Sequence, residues 1–438
     1  MRYDIIKDLQ FFAAGDVVNY SGNGTDANAG TYNTNLNTPV STGDLSAEMK
    51  TFYEKSLLAL MSPNLVHEQF GKKQPIPRHG GRNIEWRKFD KLGKALTPIT
   101  EGVTPNGNKL VVRTINDSVS QYGDYIEQTD MLELTAIDNT IVEATKELAE
   151  QASLTLDTIV REKLMEGHNV YYCPSVSSGT ETAVTSRTDI TAENKLRVKD
   201  IFRLAALLKA VNAPKINGSY VMIIHPFVAE DLMIEAGEQW VDVNKYSNAT
   251  KIFRGEVGEL AGVRFVESTE AKIYAPAVIA DGYSRLEVYE DADSAATSVK
   301  VVGELTAKSG VSIKCYIDGV ENTITAITPS TGNGYSTLTV TALSAGISAG
   351  DMVCGQGAGK DGSAVFASLC LANEAYGVTD LEGGGLEHIV KQRGYGNDPL
   401  NQRSSVGWKA TKTAKILYEE YLIRVESGCH FSAEAEAN

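Results

Sequence analysis

The sequence predicts an α+β fold divided among more than one domain. Its 438 residues exceed one typical domain, and 42% of them are hydrophobic, which is enough for sizeable cores. Apolar residues at helical spacing over residues 141–166 and 198–211 occur together with a continuous apolar run at residues 220–224, which indicates a buried strand. Residues 291–364 differ in composition: short alternating runs rich in Thr, Ser, Gly and Val are separated by turn signals. We therefore expect an inserted small all-β domain there, a sandwich or barrel.

Weaker patterns complete the assignment of elements. We expect strands at residues 263–266, 277–280, 387–393, 408–412 and 416–425, a helix at residues 228–238, and a loop over the Ser/Thr-rich residues 171–192. The last of these strands alternates and is expected to lie half-exposed in a sheet.

Charge and cysteine content exclude several classes of protein. The net charge of −15 disfavours general binding to phosphate backbones. Five widely spaced cysteines without a Cys-x-x-Cys pair argue against a disulfide framework and favour a reducing compartment. No stretch reaches the roughly 18 apolar residues that span a bilayer, and the N-terminus lacks an uninterrupted apolar signal. We therefore expect no membrane association.

The N-terminal region has too few large apolar residues to form a core. Residues 15–43 are rich in Gly, Asn, Thr, Ala and Ser, so we interpret them as a flexible or extended arm. A disordered tail fits the same composition. Helical spacing then predicts a helix over residues 45–60, which Pro63 ends.

A basic segment stands out from this acidic chain. Residues 84–89 and 110–119 read as two strands joined by a long Gly- and Pro-marked connection, which would form a protruding loop with little core of its own. A solvated strand face or nucleic-acid contact would explain its positive charge, but we favour complementarity to an acidic neighbour, such as the Glu-rich helix of another subunit. The residues proposed to contact another subunit are Arg78, Arg82, Trp86, Arg87, Lys88 and Lys91.

A long helix follows this loop. Thr140 and Glu143 fit a capping box, nothing breaks the pattern through Glu166, and Gly167 is the expected terminator. Such a helix would be about 39 Å long. Its apolar seam is narrow, so the faces that carry Glu143, Glu147 and Glu150 should meet water or a partner.

Motifs for catalysis and ligand binding are incomplete. The run from Gly355 to Lys360 resembles a phosphate-binding loop but lacks the first Gly and the Ser/Thr after the Lys. His67-Glu lacks the second His of a zinc-protease motif. An enzyme using His225 and Asp231 is kept as a competing hypothesis, because His225 follows a buried strand. We predict no catalytic residue, no cofactor and no metal ligand.

Several stretches resemble the major capsid proteins of phages grouped with the N4 coat protein, within the HK97-like capsid class. The matching stretches are residues 76–89, 96–107, 121–125, 129–130, 150–152, 225–226, 231–232, 255–258, 262–267, 375–377 and 398–409. No single stretch is diagnostic, but their order and density make the resemblance fairly specific. It extends over roughly residues 51–431, except for the insertion.

The resemblance implies an HK97-like fold with defined regions. These are an N-terminal arm (1–50), the extended loop and its flanks (51–137), a peripheral domain with the spine helix (138–197), an axial domain (198–290), the inserted β-rich domain (291–364) and a return through the axial to the peripheral domain (365–438). The insertion is where this chain departs most from the compact pattern.

The resemblance also implies a function and partners. The chain would be a major capsid protein, not an enzyme, that self-assembles through hexamers and pentamers into an icosahedral shell around a bacteriophage genome. Scaffold, portal and decoration proteins would be its partners, and DNA would be enclosed without sequence-specific binding. The protein would be assembled in the host bacterial cytoplasm and reside in the virion. The alternative is a cell-surface or carbohydrate-binding module, motivated by the β-rich insertion.

Overall fold

The computed structural model describes most of the chain beyond residue 65. The described residues are 66–89, 92–96, 98, 101–102, 107–131, 140–177, 179–236, 256–317, 320–330, 332–382, 386–391 and 400–438. The predicted N-terminal arm, the helix predicted over residues 45–60, and Lys91 lie outside them.

The helices agree closely with the sequence patterns. They are α1 (Thr140–Met165), α2 (Val198–Ala210) and α3 (Pro226–Ala236). The predicted span of α1 is thereby confirmed to within one residue at each end. Its proposed cap stays a prediction, because the Thr140 side chain is not among those described.

In the part of the chain that the structure describes, strands outnumber helices. In chain order they are β1 (Lys72–Lys73), β2 (Asn83–Phe89), β3 (Val112–Ser118), β4 (Ser120–Thr129), β5 (Val170–Tyr172), β6 (Ser175–Ser177), β7 (Thr180–Thr182), β8 (Tyr220–Ile224), β9 (Glu256–Leu260), β10 (Val263–Glu267), β11 (Ile273–Tyr274), β12 (Arg285–Glu287), β13 (Ser298–Val302), β14 (Lys308–Ile317), β15 (Val320–Ser330), β16 (Tyr335–Val340), β17 (Met352–Gly355), β18 (Val365–Leu371), β19 (Tyr376–Thr379), β20 (Leu386–Lys391), β21 (Arg403–Ile416) and β22 (Leu422–Ser427).

The described residues fall into two compact units. The first holds Lys73–Ile159 and Val378–Thr413, and the second holds Val66–Lys72, Val160–Gly377 and Ala414–Asn438. We describe each unit by itself.

In the first unit, α1 packs on an antiparallel sheet. Strand β21 pairs with β4 along Arg403 to Lys412, and with β20 along Ser405 to Ala410. The helix contributes residues one and two turns apart, as expected for one buried face. The residues of this core are Leu148, Ala149, Ala152, Leu156, Val390, Val406, Trp408 and Ala410.

A polar contact orients the same helix on the sheet. The indole N–H of Trp408 donates to Gln151 Oε1 at 3.2 Å, and Gln151 Nε2 donates to Asp124 Oδ2 at 2.6 Å. Gly123 and Gly407 let the paired strands approach closely, since a Cβ at Gly123 would lie 2.5 Å from the Trp408 carbonyl oxygen, and one at Gly407 would lie 2.7 Å from Tyr125 Cβ. Three separate stretches of the chain therefore meet at one place.

The second unit is built on a mixed sheet with strand order β5-β22-β18-β8-β10-β9. Strand β8 is buried along its whole length and pairs in parallel with β10 and antiparallel with β18. The apolar run at residues 220–224 is therefore confirmed as a central strand. All seven residues of β18 are also buried.

A second sheet of this unit closes on itself. Its strand order is β12-β17-β14-β15-β16-β13, with every pair antiparallel. Directly after β12, Val288 bridges Val301 of β13, and the Tyr289 N–H donates to the Lys300 carbonyl at 2.8 Å. These contacts return the hydrogen bonding from the last strand to the first. Its interior holds a hydrophobic core that includes Val299, Ile317, Ile324, Leu338 and Val353.

Three of the weaker sequence assignments are wrong. Residues 277–280 form no strand, because a turn at Asp281-Gly282 bridges Ala280 to Tyr283. The run 416–425 is interrupted by a 3₁₀ turn at Glu419–Tyr421, and the strand after it is mostly buried instead of half-exposed. The predicted loop at residues 171–192 contains β5 and the hairpin β6–β7, since its Ser/Thr alternation permits pairing.

Two buried histidines are held neutral. His225 and His388 are each 8% exposed. Burial lowers the pKa of His225 to about 4, because the charged form would lose its hydration. Burial lowers the pKa of His388 to about 4 for the same reason.

We expect replacement of Gln151 by Ala to destabilise the first unit. The indole N–H of Trp408, a residue only 3% exposed, would lose its partner. An unsatisfied buried donor costs about 1–3 kcal/mol of unfolding free energy. Urea unfolding followed by tryptophan fluorescence measures the change. Gln121→Ala, at an exposed position of β4, is the control. Equal stability of the two variants would contradict this role.

Acid should weaken the fold through both histidines. Because each folded pKa lies near 4, below the ordinary 6.5, the unfolded chain gains protons first as the pH falls. The stabilisation is complete above pH 6.5 and is lost as the pH falls to about 4, by up to about 1.4 kcal/mol per pH unit for each histidine. Denaturant unfolding at pH 7 and pH 5 measures it.

The double variant His225→Gln, His388→Gln should flatten this pH dependence. His79→Gln, at an exposed histidine, should leave it unchanged. The double variant keeping the wild-type slope would show that other groups cause the acid sensitivity.

Candidate functional site

The hairpin formed by β2 and β3 has one buried and one exposed face. Seven residue pairs join the strands, from Asn83 with Ser118 to Phe89 with Val112. Ile84 and Trp86 lie on the inner face and are 6% and 5% exposed. Asn83, Glu85, Arg87 and Phe89 alternate with them and are exposed, as the strand period requires.

Large exposed apolar side chains lie at the end of β2, at the start of β3 and in the described residues that follow β2 and precede β3, and we call this set the apolar tip. They are Phe89 (53% exposed), Leu92 (59%), Leu96 (82%), Leu110 (60%), Val111 (51%) and Val112 (45%). Single exposed apolar residues are ordinary, but six of them within residues 89–112, of which Phe89 and Val112 are cross-strand partners, make this end of the hairpin a candidate interaction surface. The sequence analysis missed these residues. Only Leu92 and Leu96 lie in the connection marked by Gly and Pro, whereas the other four residues fall within the two predicted strands.

The predicted basic residues of the hairpin occupy different environments. Arg78 is exposed, and Arg82 donates to the Val119 carbonyl at 3.4 Å, which ties it to the hairpin base. Arg87 is exposed and pairs with Glu85 at 3.2 Å. Lys88 is half-buried and lies opposite Arg113. Among the described members of the predicted group, Trp86 is thus the least accessible to another molecule.

The acidic residues predicted on α1 face solvent. Glu143, Glu147 and Glu150 are all exposed. Glu143 also accepts from Lys146 Nζ at 2.6 Å, one turn along the helix. Exposed pairs of this kind contribute little to stability and are screened by salt. These carboxylates are therefore free to face a basic surface.

His225 and Asp231 do not form a catalytic pair. His225 Nδ1 accepts from the Phe227 N–H at 3.2 Å, and its ring lies 4.7 Å from the Phe227 ring. Asp231 instead accepts from Lys195 Nζ at 2.9 Å and from the His430 N–H at 2.9 Å. The described residues contain no group of three metal-ligand side chains. Within the same part of the chain, no helix is long and apolar enough to cross a membrane.

The glycines within residues 355–362 lie where the backbones of different chain segments pack closely together. A Cβ on Gly355 would overlap the Ala277 carbonyl, and one on Gly359 would overlap the Ile190 carbonyl. Arg285 Nε donates to the Gly362 carbonyl at 3.1 Å beside it. These glycines allow backbone segments to approach each other, which accounts for the run without a phosphate ligand.

The closed sheet carries an exposed aromatic cluster that no sequence motif indicated. The rings of Tyr289 and Tyr335 stack with centroids 5.1 Å apart and an interplanar angle of 28°. Lys300 Nζ lies 5.0 Å from the Tyr335 centroid and 2.8 Å from Glu290 Oε1. The two tyrosines are far apart in sequence, so only the strand order brings them together.

Comparison with solved structures identifies the fold. No protein-family model and no curated protein matches the chain. The capsid of Ralstonia phage GP4 matches it with a TM-score of 0.51 and 11% identity, over 86% of this chain and 93% of that chain. The capsid of cyanophage P-SCSP1u follows with a TM-score of 0.49 and 11% identity, over 83% and 88%. The head of Helicobacter pylori bacteriophage KHP40 has a TM-score of 0.44 and 10% identity, over 93% and 99%. These three neighbours are phage capsid or head structures, and the chain has a fold similar to that of the Ralstonia phage GP4 capsid.

Proposed function

We propose that this protein is a major capsid protein that self-assembles into the icosahedral shell of a bacteriophage. The observation that carries the proposal is the apolar tip, whose six large side chains are 45–82% exposed. Fully burying one such side chain contributes about 1.5–3 kcal/mol. A second copy that covers the tip would recover this free energy. The likeness in fold to the GP4 capsid supports the same function.

The finer assignment follows from the sequence resemblance to the N4-like coat proteins and their HK97-like fold. In this proposal, the hairpin β2–β3 belongs to the extended loop, α1 is the spine helix, and the closed sheet corresponds to the inserted β-rich domain. Hexamers and pentamers would build the shell. Scaffold, portal and decoration proteins would assist, and the enclosed DNA would be bound without sequence specificity. Assembly would take place in the host bacterial cytoplasm before the protein resides in the virion.

Opposite charges would determine which surfaces of two neighbouring copies meet. The hairpin presents Arg78 and Arg87, whereas α1 presents Glu143, Glu147 and Glu150. A basic surface on one copy meeting an acidic helix face on the next is a heterologous contact, which closes into rings when the rotation allows. Each contact is weak alone, but many per shell act together.

Charged residues at the apolar tip should abolish assembly while the fold persists. The variant Leu96→Glu, Leu110→Glu places two carboxylates on a surface that must be desolvated, and it alters no buried residue. Negative-stain electron microscopy of the co-expressed protein should show no shells, with unchanged circular dichroism. Val278→Glu is the control, because Val278 is 60% exposed but lies outside the hairpin. Shells at wild-type yield from the double variant would contradict the proposal.

Reversing the charge of the hairpin should weaken assembly, and reversing the charge of the acidic face of α1 in the same protein should restore it. Arg78→Glu with Arg87→Glu would repel the acidic face of α1. Adding Glu147→Lys and Glu150→Lys should recover shell yield, measured by sedimentation at low salt, where such pairs are strongest. Failure of the second pair to restore assembly would show that this helix is not the partner surface.

A carbohydrate-binding role is the second candidate. It is favoured by one observation, the exposed tyrosine cluster on the closed sheet. The two functions are compatible, because a shell subunit can carry a binding face on an added domain.

A further inference from the structure

The tyrosine cluster lies where the closed sheet is sealed. Tyr289 follows β12, and its N–H donates to the Lys300 carbonyl of β13. Tyr335 begins β16, where it is the cross-strand partner of Val302. The backbone therefore places both rings and the Lys300 side chain on the outer surface, held by hydrogen bonds on each side.

One ring of the pair faces solvent. Tyr289 is 47% exposed, and the adjacent Val302 is 45% exposed, whereas Tyr335 is half-buried beneath the stack. Stacking against Tyr335 restrains the Tyr289 ring, so it loses little conformational entropy on binding. An aromatic ring of this kind offers a large apolar face together with a polar hydroxyl.

Polar side chains beside the Tyr289 ring offer a ligand both a hydrogen-bond donor and an acceptor. The Glu290 carboxylate accepts and the Lys300 ammonium donates, and their 2.8 Å ion pair orders both groups. Behind them, Thr337 is the cross-strand partner of both Lys300 and Thr328, which adds hydroxyl groups to the same face. A ligand with one apolar face and a rim of hydroxyls matches this arrangement.

The charge around the tyrosine cluster favours a neutral ligand over a charged one. Lys300 and Glu290 neutralise each other, and the chain as a whole carries −15, so polyanions gain nothing here. The C–H groups on one face of a pyranose ring pack on an aromatic face, and its hydroxyls reach charged neighbours.

We propose that the outer face formed by Tyr289, Glu290, Lys300 and Tyr335 binds a neutral hexose polysaccharide. A flat face holds one or two sugar units of an extended polymer weakly, and many copies on one shell would bind together strongly. That gain in avidity rests on the proposed shell function, whereas the site itself does not.

Affinity electrophoresis of the full chain tests the proposal. Native gels would contain dextran, yeast mannan or a β-galactan, and the retardation at increasing concentration gives a Kd. Retardation of the wild type by at least one polymer is expected. Tyr289→Ala should weaken it about tenfold, equal to about 1.4 kcal/mol, and Tyr289→Phe, which keeps the ring, should retain most of it. Tyr283→Ala is the matched control, because Tyr283 is 57% exposed and has no described stacking partner.

The outcomes separate this site from the shell function. Retardation that Tyr289→Ala removes and Tyr283→Ala preserves supports the site, whether or not shells form. No retardation by any polymer, or equal loss in both variants at unchanged unfolding free energy, overturns it. A change in oligomeric state caused by Tyr289→Ala without polymer binding also overturns it, and shows that the face contacts a second copy instead.

Discussion

A two-stranded hairpin cannot bury its own end, and this constraint dominates the structure. The inner face of β2 buries Ile84 and Trp86, whereas the six apolar side chains of the apolar tip are 45–82% exposed in this chain. A chain that kept these side chains in water would gain from replacing them with polar ones. Their retention is understandable when another molecule covers them. In the proposed function, the hairpin would connect the fold of one subunit with the neighbouring subunits of the shell.

Outside the hairpin, each unit contains elements that are fixed by packing and hydrogen bonds. Helix α1 is fixed to its sheet by an apolar face and by the Trp408–Gln151–Asp124 hydrogen bonds. The closed sheet has no free edge in its hydrogen-bonding ring, which removes the main risk of edge-to-edge pairing. Packed elements of this kind can present their exposed surfaces in a defined geometry, which the repeated contacts of the proposed shell would require.

Sequence patterns predicted the parts of the fold that depend on local periodicity. Helix α1 and the alternating strands of the closed sheet were predicted because their burial follows a period of 3.6 or 2, and strand β8 was predicted from a continuous apolar run because it is buried on both faces. The closure of that sheet at Val288 and Val301, and the stacking of Tyr289 on Tyr335, could not be predicted, since both depend on the strand order. The run at residues 416–425 was misread because a 3₁₀ turn divides it without a Gly or Pro to mark the break.

The sequence likewise predicted some of the candidate interaction surfaces and missed others. Basic residues on the hairpin and acidic residues on α1 were recognisable as charge patterns, whereas neither the strand patterns nor the connection between them indicated that the residues of the apolar tip would be exposed. Burial of Trp86 was also unforeseen, because an alternating strand does not reveal which face is covered.

Electron microscopy of the wild-type protein, purified after expression alone and with a candidate scaffold, tests the central claim most directly. The account predicts closed shells, tubes or hexamer sheets, formed by contacts that repeat from copy to copy. A protein that stays monomeric in every condition, at concentrations where the apolar tip should be covered, would contradict it.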